Sequence, residues 1–192
     1  MALTTEARAD LLEALQPLVA EIAEDLRVRL LKKDNPARVQ AKKLYDEEVV
    51  GDAFDVWLDL LGHRAAVMWV LKLVYVRVLE DRKLIKARIL DRNHQSLFER
   101  LAPSLGDTAF LRWVFADLAQ QQGGLPELFS PQPAEVLPPT DAHSRKLLKL
   151  FRERDLETKA LRFDFTNERF DGQLLGDLYQ EVILDHNKAP RN

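Results

Sequence analysis

The feature that most constrains the fold is a run of apolar residues at positions 64–79, interrupted internally only by Lys72 and Arg77. A helix that is apolar on nearly every side is buried, either in a protein core or in a membrane. A membrane span needs about 20 apolar residues, whereas this run is shorter and carries two internal cations. We therefore expect a buried central helix and no membrane partner. Five valines within the run leave a buried β-strand as the alternative.

Segments on both sides of this run show the apolar spacing of amphipathic helices. In the first of them, apolar residues recur at steps of three and four from Leu11 to Leu26, and Pro17 predicts a bend or a split. Asp34-Asn35-Pro36 predicts the start of a polar second helix, which Gly51 ends. With the central run at 64–79, the further helices that we expect are at 52–61, 94–101, 107–121, 141–151 and 171–186. Thr140 or Asp141 caps the helix at 141–151.

The expected fold class is all-α, a multi-helix bundle around the buried central helix. Only 7 Gly and 9 Pro in 192 residues favour helices over a many-turned β-sandwich. One short extended element is expected at 161–165, where apolar and polar residues alternate. Five prolines make 125–140 irregular. The predicted organisation is a helical bundle at 1–124, a Pro-rich loop at 125–140 and a C-terminal helical segment at 141–192, which leads towards an absent catalytic domain.

The composition argues against several kinds of catalytic site. The chain has no cysteine, which excludes disulfides, thiolate metal sites and cysteine nucleophiles. Absence of cysteine and of a secretory signal at the N-terminus predicts a cytoplasmic protein. The four histidines show no metal-ligand spacing, and neither a Gly-rich phosphate loop nor a Gly-x-Ser-x-Gly motif occurs. The sequence therefore predicts no catalytic, cofactor-binding or metal-binding residue in this chain.

Two charged motifs admit a catalytic interpretation beside a structural one. Arg77 lies one helical turn before Glu80 and Asp81, and we interpret the three as a partly buried ion pair because no companion base or metal ligand is near. Glu157 and Lys159 have the Glu-x-Lys spacing of metal-dependent nucleases. That spacing is common in a charged sequence, and no companion Asp can be assigned. We interpret it as a surface turn, with a stand-alone nuclease as the alternative.

The net charge of −3 identifies no partner, but the charges are unevenly distributed. Basic residues cluster at 27–43, 82–92 and 145–154, and acidic residues cluster at 46–59. Two interpretations of these basic clusters are open. In one, they bind nucleic-acid phosphates and release counterions; in the other, they form a solvated face of the protein. The alternative to DNA contact is a protein-docking or scaffold module without nucleic-acid affinity. The candidate phosphate-contacting residues are Arg27, Arg29, Lys32, Lys33, Arg38, Lys42, Lys43, Arg82, Lys83, Lys86, Arg145, Lys146 and Lys149.

Five short stretches, taken in order, carry a resemblance to a known family. They are AVMWVL at 66–71, VYVRVLED at 74–81, 147–155 with its FRERD ending, RFDFT at 162–166 and LLGDLYQ at 174–180. Over about residues 64–180 the chain resembles the N-terminal helical region of adenine-specific DNA methyltransferases from phage-defence systems of the BREX/Pgl and DISARM types.

The resemblance implies a non-catalytic module that contributes DNA contact or partner docking. In that family a Rossmann-like domain that uses S-adenosylmethionine follows the helical region, so the implied partner is a methyltransferase domain or another defence-system subunit. The catalytic Asn/Asp-Pro-Pro-aromatic loop does not occur in this sequence, so no catalytic residue is carried over and the cofactor belongs to the missing domain. The residues with an implied structural role are Arg77, Glu80, Asp81, Gly176, Asp177 and Tyr179.

The last 15 residues depart from that pattern. They resemble the N-terminal helix of iron–sulfur scaffold proteins of the SufU/NifU type. Such scaffolds hold their cluster through cysteine thiolates, which this chain lacks. We interpret the ending as a truncation, a gene-split boundary or a coincidence.

Overall fold

The computed structural model describes residues 5–48, 51–121 and 125–166, and these residues form seven α-helices without a β-sheet. This confirms the all-α prediction. The helices are α1 (Thr5–Leu31), α2 (Ala37–Glu48), α3 (Phe54–Asp81), α4 (Arg92–Leu101), α5 (Asp107–Gln120), α6 (Pro126–Phe129) and α7 (Asp141–Phe151). None of the helices in the described ranges has the length and apolar character that crossing a bilayer requires.

The central helix is α3, which is 28 residues long and buried along most of its length. The helical interpretation of 64–79 is therefore confirmed over the strand alternative. The sequence predicts two separate helices at 52–61 and 64–79, but they form one continuous helix through Gly62. A Cβ at Gly62 would lie 2.8 Å from the carbonyl oxygen of Ala23. Gly62 therefore does not break α3 but allows the backbones of α1 and α3 to approach closely.

The first helix also continues where a split is predicted. α1 runs unbroken through Pro17, whose ring is exposed. A proline inside a helix removes one hydrogen bond and costs about 3 kcal/mol. Apolar side chains before and after the proline are buried in the core that α1 shares with α3, and this packing outweighs the local cost. The buried side chains on the two sides of Pro17 are Leu11, Leu12, Leu15, Val19, Ile22 and Leu26.

The principal core joins α1, α3, α5 and α7 with an extended arm that follows α7. In this arm Phe163 and Phe165 are fully buried, whereas Leu161 pairs with Arg154 in an isolated antiparallel bridge. The predicted alternation at 161–165 is thus present, although it forms an arm and not a strand. A second, smaller core lies between α1, α2 and α3 and contains Leu30, Ala41, Trp57, Leu58 and Leu61.

The stretch at 125–140 is irregular apart from α6 and leads directly into α7. Thr140 caps α7, since its side chain accepts a hydrogen bond from the backbone N–H of His143. The helix predicted at 171–186, the residues Gly176, Asp177 and Tyr179, and the ending that resembles an iron–sulfur scaffold all lie outside the described residues.

Candidate functional site

The most buried charge in the described chain is the guanidinium of Arg77 near the end of α3, which is 0% exposed. Its Nη1 donates to the carbonyl oxygen of Phe151 at 2.7 Å. Its Nη2 donates to Asp81 Oδ2 at 2.6 Å and to the carbonyl oxygen of Phe163 at 3.1 Å. The ring of Phe165 lies 5.4 Å from the guanidinium carbon. Arg77 therefore joins α3 to the end of α7 and to the extended arm.

The two acids that follow Arg77 bind backbone amides of other segments. Asp81 Oδ2 also accepts from the N–H of Phe165 at 2.9 Å. Glu80 accepts from the N–H groups of residues 88–90 at 2.5, 2.6 and 3.3 Å, which folds the chain back onto the end of α3. Burial raises the pKa of Glu80, although these N–H groups and the nearby Arg77 act in the opposite direction.

The ion pair predicted from the spacing of Arg77 and Asp81 forms, and it is buried more deeply than expected. We call Arg77, Glu80 and Asp81 the charge hub. Its members line none of the three surface grooves described below. Apart from Arg77 Nε, which is buried without a hydrogen-bond partner in the described chain and lies 3.8 Å from Glu80 Oε2, the polar groups of the charge hub hold three chain segments together, which is a structural task.

The Glu-x-Lys motif lies on an exposed turn at the tip of a small hairpin. Asp155 Oδ1 accepts from the backbone N–H groups of Glu157 and Thr158 and from the Thr158 hydroxyl. Lys159 has a left-handed backbone conformation with a φ of 58°. Its ammonium group donates a hydrogen bond to the carbonyl oxygen of Leu156. Over the described ranges, no three His, Asp or Glu side chains converge as metal ligands. The geometry therefore fits a surface turn.

Most candidate phosphate-contacting residues of the first basic cluster are engaged within the protein. Arg38 donates to the carbonyl oxygens of Leu30 and Leu31 and so caps the end of α1. The others pair with acids three or four positions away on the same helix, which reduces the charge that they offer to a ligand. These pairs are Arg27–Glu24, Arg29–Asp25, Lys42–Asp46 and Lys43–Glu47.

The remaining candidates divide into paired and unpaired residues. Arg145 pairs with Asp107 at 2.9 Å, and Lys146 pairs with Glu21. Arg82 is half-buried at the C-terminal cap of α3. The candidates without an ion pair in the part of the chain that is described are five exposed lysines, which we call the free lysines: Lys32, Lys33, Lys83, Lys86 and Lys149.

One surface groove, the aromatic groove, has a volume of about 650 Å³ and lies between α3, α5 and the loop after α6. Aromatic rings, including Trp69 and Phe115, line it beside a buried ion pair. In this pair Lys72 Nζ lies 2.5 Å from Glu135 Oε2, and the two side chains are 2% and 7% exposed. Lys72 also donates to the carbonyl of Ser130 at 3.0 Å, so the pair fastens the Pro-rich loop to α3.

A second groove, the basic groove, has a volume of about 560 Å³ and lies between α4 and the C-terminal part of α7. Its basic side chains come from two distant clusters of the sequence, 82–92 and 145–154. Arg145 and Lys149 are among the candidate phosphate-contacting residues, whereas Arg92 and Arg152 belong to the same basic clusters but are not among those candidates. No local pattern in the sequence indicates that the two clusters meet. The charged lining residues are Arg92, Glu99, Asp107, Arg145, Lys149, Arg152 and Glu153.

A third groove, more open and about 620 Å³ in volume, runs along α2. Lys33 is the one free lysine among its lining residues, while Lys42 and Lys43 pair with acids in the same groove. Positive charge in this groove is therefore largely neutralised within the protein.

Comparison with known proteins gives one similarity to a curated protein. The chain is similar to the adenine-specific methyltransferase PglX of Streptomyces coelicolor, with 29% identity over 198 residues. The match covers 91% of this chain and 16% of PglX, so the chain spans about a sixth of the length of that relative. No protein-family model and no solved structure matches. The similarity supports the resemblance to Pgl-type methyltransferases, and nothing supports the resemblance of the last residues to iron–sulfur scaffolds.

Proposed function

We propose that this chain is a non-catalytic helical module of a phage-defence, adenine-specific DNA methyltransferase, and that it contacts DNA. The observation that carries the proposal is the similarity to PglX along 91% of the chain. The buried charges at the end of α3 serve packing, and the exposed charges lie on helical surfaces. S-adenosylmethionine would be held by the methyltransferase domain that this module accompanies, and not by the module itself.

Contact with DNA is supported by where the unpaired positive charge lies. The free lysines are exposed and have no ion pair within the described ranges. A protein that neutralises phosphates with lysine or arginine releases condensed counterions, which favours binding at low salt. The overall charge of −3 does not oppose this, because the acids pair with other basic residues and leave local positive surface.

The experiment is a titration of the 192-residue chain into fluorescently labelled duplex DNA, followed by anisotropy at several salt concentrations. We expect the logarithm of the affinity to fall linearly with the logarithm of salt concentration, by about 0.9 for each phosphate contacted. Changing three of the free lysines, Lys32, Lys33 and Lys83, to Gln should flatten this slope. The matched control changes three paired lysines, Lys42, Lys43 and Lys146, to Gln and should flatten it less. No binding at low salt, or a response independent of salt, would contradict DNA contact.

Partner docking is the second candidate function, and exposed leucines around the end of α4 favour it. Leu97 and Leu101 lie one turn apart and are 41% and 70% exposed, and Leu105 follows with 52% exposed. Adjacent exposed apolar side chains of this kind mark docking surfaces. The proposed partner is the methyltransferase domain.

The docking candidate is tested by capture of S. coelicolor PglX from which the aligned segment has been removed. The wild-type chain should retain it, and the Leu97→Glu/Leu101→Glu variant should not. The exposed Leu156→Glu on the hairpin turn is the control. Equal capture by the wild type and both variants would exclude the α4 surface as the docking site.

A further inference from the structure

We propose that the basic groove is a phosphate-binding site in which Arg92, Lys149 and Arg152 together hold one phosphate group. The identification of DNA as the source of that phosphate rests on the proposed function, whereas the site itself is argued from the geometry of the groove. Its chemistry is that of a phosphate ester held by two guanidinium groups and one ammonium group.

The first observation is an unsatisfied donor on Arg152. Two of its nitrogens are fixed: Nε donates to the carbonyl of Ile89 at 2.5 Å, and Nη1 donates to Gln95 Oε1 at 2.7 Å. The third nitrogen, Nη2, is shielded from water and has no hydrogen-bond partner within the described residues. A buried donor without a partner is unfavourable. The guanidinium is therefore held in place at the wall of the groove, and Nη2 gains an acceptor only if a ligand oxygen enters the space beside it.

The second observation is the crowding of like charges in the groove. Burial lowers the pKa of Arg152, and the positive charge of Arg92 lowers it further, whereas the carboxylates of Asp107, Glu80 and Glu99 act in the opposite direction. Neither Arg92 nor Lys149 forms an ion pair within the described ranges, and both are exposed, so their side chains can close over a bound group. An anion between these cations would relieve their mutual repulsion.

The third observation is that the acids in the groove already have partners. Asp107 bonds to Arg145 at 2.9 Å and accepts from the Gln95 amide at 3.0 Å. Glu153 bonds to Arg162, which lies outside the groove, at 2.8 Å.

Within the described residues, Glu99 accepts a hydrogen bond only from the neutral Gln95 amide, at 3.1 Å. The lining therefore carries four cations (Arg92, Arg145, Lys149 and Arg152) against three carboxylates (Glu99, Asp107 and Glu153), a net charge of one positive unit. This imbalance selects an anionic ligand, and the volume of about 560 Å³ accommodates a phosphate with the sugar that carries it.

The test uses the 192-residue chain with two probes, inorganic phosphate by calorimetry and labelled duplex DNA by anisotropy. Arg92→Gln and Lys149→Gln each remove one exposed cation from the rim of the groove. Arg100→Gln is the matched control, because Arg100 is exposed on the same helix as Arg92 but does not line the groove. We expect either rim change to weaken phosphate binding roughly tenfold or more, and Arg100→Gln to leave it unchanged.

A fourth variant, Arg152→Lys, keeps the charge but removes the planar fork of donors. We expect it to weaken phosphate binding as well, with its helix content and melting temperature measured to show that it remains folded. Phosphate binding that is the same in wild type, both rim variants and Arg152→Lys, or absent from the wild type, would overturn the site.

The two probes separate this site from the proposed function. If inorganic phosphate binds and competes with DNA, and the rim variants weaken both, the DNA backbone is the source of the phosphate. If phosphate binds at the groove but DNA does not, the site stands as one for a free phosphate ester and the DNA proposal fails. If DNA binds and the rim variants match Arg100→Gln for both probes, the groove is not the site, while DNA contact stands.

Discussion

Arg77 Nη2 and Asp81 Oδ2 are 2.6 Å apart, and the two side chains are 0% and 6% exposed. One helical turn of α3 separates them, so the helix itself places the two side chains side by side. Each partner is also bound by the segment that ends α7 or by the arm beyond it. The buried Arg77–Asp81 pair therefore fastens the C-terminal part of the described chain to α3, beside the apolar packing of α7 and the arm.

Replacing Arg77 by Met should lower the free energy of unfolding by about 3–5 kcal/mol. The change leaves the Asp81 carboxylate buried without its cation and leaves two carbonyl groups without a donor. Urea denaturation followed by circular dichroism measures the loss. The control is Arg112→Met on the exposed surface of α5, which should change stability by less than about 0.5 kcal/mol. Equal effects of the two substitutions would show that the charge hub does not stabilise the fold.

Lys72 and Glu135 should be strongly coupled in a double-mutant cycle. Lys72→Met alone leaves a buried carboxylate unpaired, with an expected loss of about 3–5 kcal/mol. Adding Glu135→Gln removes that charge but keeps an oxygen to accept from the N–H of Gln132, so much of the loss should be recovered. Thermal unfolding of the four proteins measures the coupling. Additive effects of the two changes would contradict a buried pair.

Gly62→Ala should destabilise the protein by about 1–3 kcal/mol, since the added methyl group meets the backbone of α1 and cannot be relieved by moving a side chain. Gly51→Ala is the matched control, because nothing lies within 4 Å of a Cβ built there. Chemical denaturation should show a clear difference between the two variants. A gain in stability for Gly62→Ala, as helix propensity alone predicts, would exclude the close approach of α1 and α3.

His94 should make stability depend on pH. Its ring stacks on Trp113 with 4.6 Å between centroids, and burial, followed by the charge of Arg88, lowers its pKa below the ordinary 6.5. The folded state therefore binds this proton more weakly than the unfolded chain. The stability associated with neutral His94 is present above about pH 6.5 and is lost as the pH falls through the folded-state pKa.

An NMR titration of the His94 ring gives the folded-state pKa directly. The urea midpoints of the wild type and of His94→Phe are measured from pH 8 to pH 5. The difference between the two midpoints at each pH gives the contribution of the His94 ring, because the titration of the Asp and Glu side chains is common to both proteins. A ring pKa above 6.5, or a difference that does not change with pH, would contradict the prediction.

Local patterns predict the elements of this fold well and their long-range connections poorly. The central helix and the Arg77–Asp81 pair follow from apolar runs and four-residue spacing within one segment. Pro17 predicts a bend or a split, and the split is wrong, because the burial of α1 against α3 is a tertiary effect that spacing does not reveal.

The parts of the candidate site that could not be predicted join residues distant in sequence. Lys72 and Glu135 are 63 positions apart, and Arg152 and Gln95 are 57 apart. No periodicity relates such residues. A basic cluster in the sequence also does not distinguish lysines that pair with a neighbouring acid from those that remain unpaired, which only the packing of the helices decides.

The two carbonyls that bind Arg77 belong to residues 74 and 86 positions further along the chain. On the ribosome, α3 is therefore complete long before its guanidinium can obtain these acceptors. Until the arm emerges, the last turns of α3 expose apolar and charged side chains that the arm later covers. Chaperones can bind such a surface. Stalled or prematurely terminated polypeptides ending before the arm would present that surface permanently, which makes them natural targets for proteolysis.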